Sequence, residues 1–62
     1  MLTVKEFTKV FTWKVKFHIK MVGYNSEDYG MWHMNTIPED LKNRYIYLVD
    51  VTEDGIIEIN IR

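Results

Sequence analysis

Residues 44–62 read RYIYLVDVTEDGIIEINIR. Two apolar runs, Tyr45–Val51 and Ile56–Ile61, enclose a polar segment that ends in glycine. This is the pattern of a β-hairpin with the three-residue loop Glu53-Asp54-Gly55, in which glycine takes the left-handed conformation without a Cβ clash. Thr52 then pairs with Ile56. Val51 faces Ile57, Val49 faces Ile59 and Tyr47 faces Ile61 on one side, while Asp50 with Glu58 and Leu48 with Asn60 occupy the other. A slip of one residue sets Ile57 against Asp50 or Thr52, so the apolar pattern selects this register. Ile46 and Leu48 fall on the face opposite Tyr45, Tyr47, Val49 and Val51. A strand apolar on both sides has the pattern of a central strand covered on both faces. A chain this short can hardly cover both faces alone, which predicts a second subunit over Ile46 and Leu48.

The segment before the hairpin, Asn35–Asn43, announces a short helix. Pro38 suits the first helical position, where no amide donor is needed. Glu39 and Asp40 suit the positive end of the helix dipole, and Leu41 points inward. Further upstream, Trp13, Val15, Phe17, Ile19 and Met21 alternate with Lys14, Lys16, His18 and Lys20. That two-residue period predicts a strand over 12–22 with one buried face and a basic outer stripe. Tyr29–Met34 reads as its hairpin partner. With Asn25-Ser26 as turn centre, Ile19 faces Trp32, Phe17 faces Met34 and His18 faces His33, and Gly23 and Gly30 permit a longer loop or a bulge.

At the start, Thr3-Val4-Lys5-Glu6 is a capping box: the Thr3 hydroxyl accepts from the Glu6 amide and the Glu6 carboxylate from the Thr3 amide. Val4, Phe7, Val10 and Phe11 share one helical face, which predicts a helix over 4–11. Two turns do not hold alone in water, so this face is expected to dock on the sheet. The expected architecture is one α+β domain over residues 1–62, of order α-β-β-α-β-β. It is a four-stranded, mostly antiparallel sheet with the N-terminal helix packed on one face. The other face is expected to show Lys14, Lys16, His18 and Lys20 beside Ile46, Leu48, Asp50, Glu58 and Asn60.

The stretches TVKEF at 3–7, IPEDLKNRYIYLVDV at 37–51, EDG at 53–55 and IIEINIR at 56–62 resemble small proteins of bacteriophages and prophages of low-GC Gram-positive bacteria. Those proteins often begin with a short amphipathic helix and end with a similar helix followed by a hairpin. The resemblance covers about half of the chain. It implies a phage-type accessory protein of α+β fold, working in the host cytoplasm, and brings no catalytic residues with it.

Composition narrows the chemistry. The 62 residues, 47% hydrophobic and 27% charged, allow one thin core. With no cysteine, neither disulfides nor thiolate zinc sites reinforce it. No secretory leader is expected at the start, and no apolar run approaches the roughly 20 residues of a membrane span. The net charge of -1 argues against a protein devoted to gripping phosphates. Its distribution is uneven: residues 1–22 are basic and the rest acidic, which suits basic strands and acidic loops that meet within one fold.

His18 and His33 are the only histidines. A metal site needs three or four ligands, so two solvent-facing histidines are the simpler reading and no metal or cofactor is expected. Ser26 is the only serine and sits in a turn with nothing to fix its geometry. The Glu27-Asp28 and Glu39-Asp40 pairs do not converge, and no glycine-rich phosphate loop exists. Binding rather than catalysis is therefore expected. The predicted contact residues are Lys14, Lys16, His18, Lys20, Ile46 and Leu48. The expected form is a homodimer that covers the surface of a host protein. A weak single-stranded nucleic-acid interface along Lys14–Lys20 is the alternative.

Overall fold

The computed structural model describes residues 1–62. The elements run α1 (Val4–Thr8), β1 (Lys16–Met21), β2 (Glu27–His33), α2 (Glu39–Lys42), β3 (Ile46–Val51) and β4 (Ile57–Ile61). The expected order of elements is present. The sheet is mixed, in the order β2-β1-β4-β3. Each hairpin is antiparallel, and the two hairpins meet through a parallel pairing of β1 with β4.

That central pairing places the core. Phe17 lies beside Ile57, Ile19 beside Ile59 and Met21 beside Ile61. Side chains alternate along a strand, so these residues share one face. Phe17, Ile19, Ile59 and Ile61 are buried there with Val4, Ile37 and Leu41. The rings of Phe7 and Phe11 stand 6.4 Å and 5.4 Å from that of Phe17, both edge-on. Ile37 and Leu41 belong to the segment between β2 and β3. Those edge strands are parallel to each other, so the segment has to cross the sheet, and it does so over the apolar face.

The C-terminal hairpin closes as its sequence predicts. The Thr52 amide donates to the Ile56 carbonyl at 2.9 Å, and Gly55 has φ 81°. The Val51–Ile57, Asp50–Glu58, Val49–Ile59 and Leu48–Asn60 pairs are all present. Two expectations fail. β3 is an edge strand rather than a central one, because β4 turns its other side to β1. Ile61 also faces Ile46 rather than Tyr47, the register shifting by one residue between Ile46 and Leu48. This bulge sends Ile46 to the Ile61 side, where it packs against the core, and leaves Leu48 on the Asn60 side. Ile46 and Leu48 therefore do not share a face.

The first strand begins at Lys16, later than its alternation predicts. Lys14 lies in a turn, and Trp13 is 63% exposed rather than in the core. The Trp13 carbonyl accepts from His33 Nδ1 at 2.7 Å, which ties this turn to the end of β2. β2 begins two residues early, and Phe17 pairs with Trp32, Lys16 with His33 and His18 with Met31. The two histidines are thus not opposed. A bulge opposite Ile19, with Gly30 at φ 89°, absorbs the change of register, and residues 22–26 form the loop.

The capping box of α1 is complete, with Thr3 N–H donating to Glu6 Oε1 at 2.9 Å and Glu6 N–H to Thr3 Oγ1 at 3.1 Å. The helix ends at Thr8, whose hydroxyl donates to the Val4 carbonyl, and Val10 is exposed. No helix is long and apolar enough to cross a membrane.

Ile59 stands on a central strand at 0% exposure, so each of its methyl groups has packed neighbours. Ile59→Val is expected to cost about 1 kcal/mol, and Val22→Ala, in the exposed loop, less than about 0.5 kcal/mol. Urea unfolding monitored by tryptophan fluorescence measures both. Equal costs at the two positions contradict this placement of the core.

Candidate functional site

The face opposite the core carries Lys16, His18 and Lys20 of β1, as their alternation predicts. Glu58 stands on this face as expected, whereas the approach of Asp28 was not legible in the chain order. Glu58 of β4 lies beside His18, and Asp28 of β2 beside Lys20. His18 Nε2 is 2.8 Å from Asp28 Oδ1, and His18 Nδ1 is 3.5 Å from Glu58 Oε2. Lys20 Nζ is also 3.5 Å from Glu58 Oε2. The basic stripe is therefore compensated within the sheet at His18 and Lys20. Of its members, Lys14 and Lys16 make no ion pair.

Asp28 is the hinge of this network. Its Oδ1 accepts from the Gly30 amide at 2.8 Å as well as facing His18. The Gly30 amide first, and then His18, hold its carboxyl below the ordinary value of 3.8. Asn60 lies between Lys20 and Leu48 in the same face. It is 5% exposed, its Nδ2 reaches the Leu48 carbonyl at 3.5 Å, and its Oδ1 has no partner.

A hollow of ≈ 470 Å³ lies between the start of β1 and the β3–β4 turn. It is lined by Lys14, Val15, Lys16, Asp54, Gly55 and Ile56. It is widely open and of mixed charge, which gives no group a dry environment in which to be activated.

The two sheet edges differ more than the two faces. Along β2 three backbone groups are bonded by the chain's own side chains. The Gly30 amide donates to Asp28 Oδ1, the Trp32 indole donates to the Tyr29 carbonyl at 2.8 Å, and the His33 amide donates to Thr36 Oγ1 at 3.0 Å. Along β3 the protection is partial. The N-terminal segment bridges its first residues, with Ile46 N–H donating to the Leu2 carbonyl at 2.8 Å and Val4 N–H to the Arg44 carbonyl at 3.0 Å. At the far end the Asp50 carboxylate accepts from the Val51 amide at 2.8 Å. Between them, alternation from the Thr52–Ile56 pair turns the Val49 N–H and C=O away from β4.

Around this gap, Tyr47 is 58%, Leu48 56% and Val51 62% exposed. The Arg62 guanidinium lies over the Tyr47 ring at 5.3 Å. Of the predicted contact residues, Leu48 belongs here, while Ile46 is turned inward. Tyr47, Val49 and Val51 were missed, because the hairpin pattern assigns them to a buried face. The signal was the absence of lysine and proline between Tyr45 and Val51, the residues that usually guard an exposed edge.

Compared with protein-family models, with curated proteins and with solved structures, the chain matches none. Its chemistry is read from its own residues, and acid sensitivity follows from Asp28. Ionised Asp28 favours the folded chain above the ordinary value of 3.8, and this contribution is lost as pH falls through the lower folded-state value. Urea midpoints of the wild type and Asp28→Asn are expected to differ near neutral pH and to converge by about pH 2. A gap that keeps its size into acid contradicts this.

Proposed function

We propose that this protein acts by binding another protein rather than by catalysis, and that the flank of β3 is its contact surface. In this reading α1 lies across the core face, supported by the contacts of Phe7 and Phe11 with Phe17. That leaves the β3 edge to a partner. The observation that carries the reading is the gap at Val49, where an unbonded stretch of edge strand is flanked by exposed Tyr47, Leu48 and Val51. An added strand gains main-chain hydrogen bonds there, and its side chains cover the aromatic and aliphatic groups. The protein is a homodimer in this account, and by its resemblance a phage-type accessory factor that covers a host protein in the host cytoplasm.

Capture from a host lysate is the corresponding experiment. Protein retained by the wild type is expected to be lost with Leu48→Lys and kept with Met31→Lys, since Met31 is exposed on β2, away from this edge. Retention unaffected by Leu48→Lys removes the edge from the account.

A second reading has one observation in its favour. Exposed Trp13 has Lys14 Nζ 5.9 Å from its ring centroid, with exposed Lys16 following, a platform on which a base can stack beside two free cations. It requires oligonucleotide binding that falls steeply with salt and is abolished by the double change Lys14→Glu with Lys16→Glu. Absence of binding at low salt removes it.

A further inference from the structure

We infer that the occupant of the β3 edge is a second copy of this chain, paired antiparallel through β3 about a two-fold axis at Val49. The inference rests on the binding reading above and names its partner and register. Val49 is the residue that turns both of its backbone groups outward within the gap. Two copies related by a two-fold axis there exchange both bonds reciprocally, N–H of each Val49 to C=O of the other.

The side chains fit the same axis. Tyr47 of each copy faces Val51 of the other, an aromatic with a β-branched residue, and both are exposed in the single chain. Leu48 faces Asp50, so no like charges are directly opposed.

Neighbouring registers fail. An axis at Asp50 sets two carboxylates against each other. An axis at Leu48 sets Val51 against Tyr45, whose outer side is already bridged by Thr3. With the axis at Val49, pairing stops where the N-terminal segment begins, and the two sheets join into one. On the β2 edge the Gly30 and His33 amides and the Tyr29 carbonyl are already bonded by the chain's own side chains, and the bulge at Gly30 interrupts the strand.

The chain contains no cysteine, so single-cysteine variants report the register directly. Val49→Cys is expected to cross-link to itself under mild oxidation, because residues facing each other in such a pair have Cα atoms about 5.5 Å apart, within disulfide reach. A mixture of Tyr47→Cys and Val51→Cys chains is expected to form the mixed dimer. Sedimentation of the wild type at about 100 μM is expected to give a dimer, and Val51→Lys to weaken it at least about tenfold while circular dichroism stays native. A wild-type monomer at that concentration overturns the inference and leaves the contact with a different protein to the lysate capture. A dimer that cross-links through Met31→Cys and not through Val49→Cys also overturns it, while preserving a homodimer. A dimer unaffected by Val51→Lys overturns it as well.

Discussion

The parallel pairing of β1 with β4 is the constraint on which the rest of this structure depends. Two hairpins of similar size have met side by side through what become their most buried strands. Phe17, Ile19, Ile59 and Ile61 then come together at the centre and lose contact with water. This burial is the main source of stability available to a chain without disulfides. It also dictates the connections. Once β1 and β4 run the same way, β2 and β3 become parallel edges, and the chain between them has to cross a face. Ile37 and Leu41 make that crossing apolar, so the link itself completes the core.

The same pairing sets where the sheet is vulnerable. A four-stranded open sheet has two edges, each with backbone groups that invite another strand. On β2, a carboxylate, an indole and a threonine hydroxyl satisfy three of those groups, and a bulge interrupts the strand. On β3, the N-terminal segment covers one end and Asp50 the other, and the middle is left to Val49. Apolar side chains surround that gap. On the polar face, Glu58 answers His18 and Lys20, and Asp28 answers His18. The uneven distribution of charge along the sequence is thus answered within the fold only at His18 and Lys20, while Lys14 and Lys16 make no ion pair.

Legibility in the sequence followed the range of the interactions. The capping box at Thr3 and Glu6, the Gly55 turn and the pairs from Val51–Ile57 to Leu48–Asn60 rest on neighbours a few residues apart, and they are present as read. The bulge at Tyr47 was not legible, because the alternation of Tyr45, Tyr47, Val49 and Val51 fits an unbroken strand equally well. Its consequence was large, since it moved Ile46 into the core and parted it from Leu48. Trp13 was misplaced for a related reason. It continues the period of Val15 and Phe17, but the strand partners needed to bury it end at Lys16. The order of strands has no local signature at all. Reading β3 as central came from its apolar content, whereas the edge position follows from β4 pairing with β1, a contact between residues about 40 positions apart that only the folded chain reveals. The candidate site inherits this limit: Lys16, His18, Lys20, Leu48 and Glu58 could be placed on a face, but the approach of Asp28 and the gap at Val49 could not.

Residue-resolved amide hydrogen exchange, followed as the protein is diluted, tests the contrast between the two edges most directly. The account predicts that the Val49 amide is protected at high concentration and becomes fast on dilution, whereas the Gly30 and His33 amides on β2 keep their protection throughout. A Val49 amide that stays slow at every dilution, or a β2 edge that exchanges as freely as β3, would contradict it.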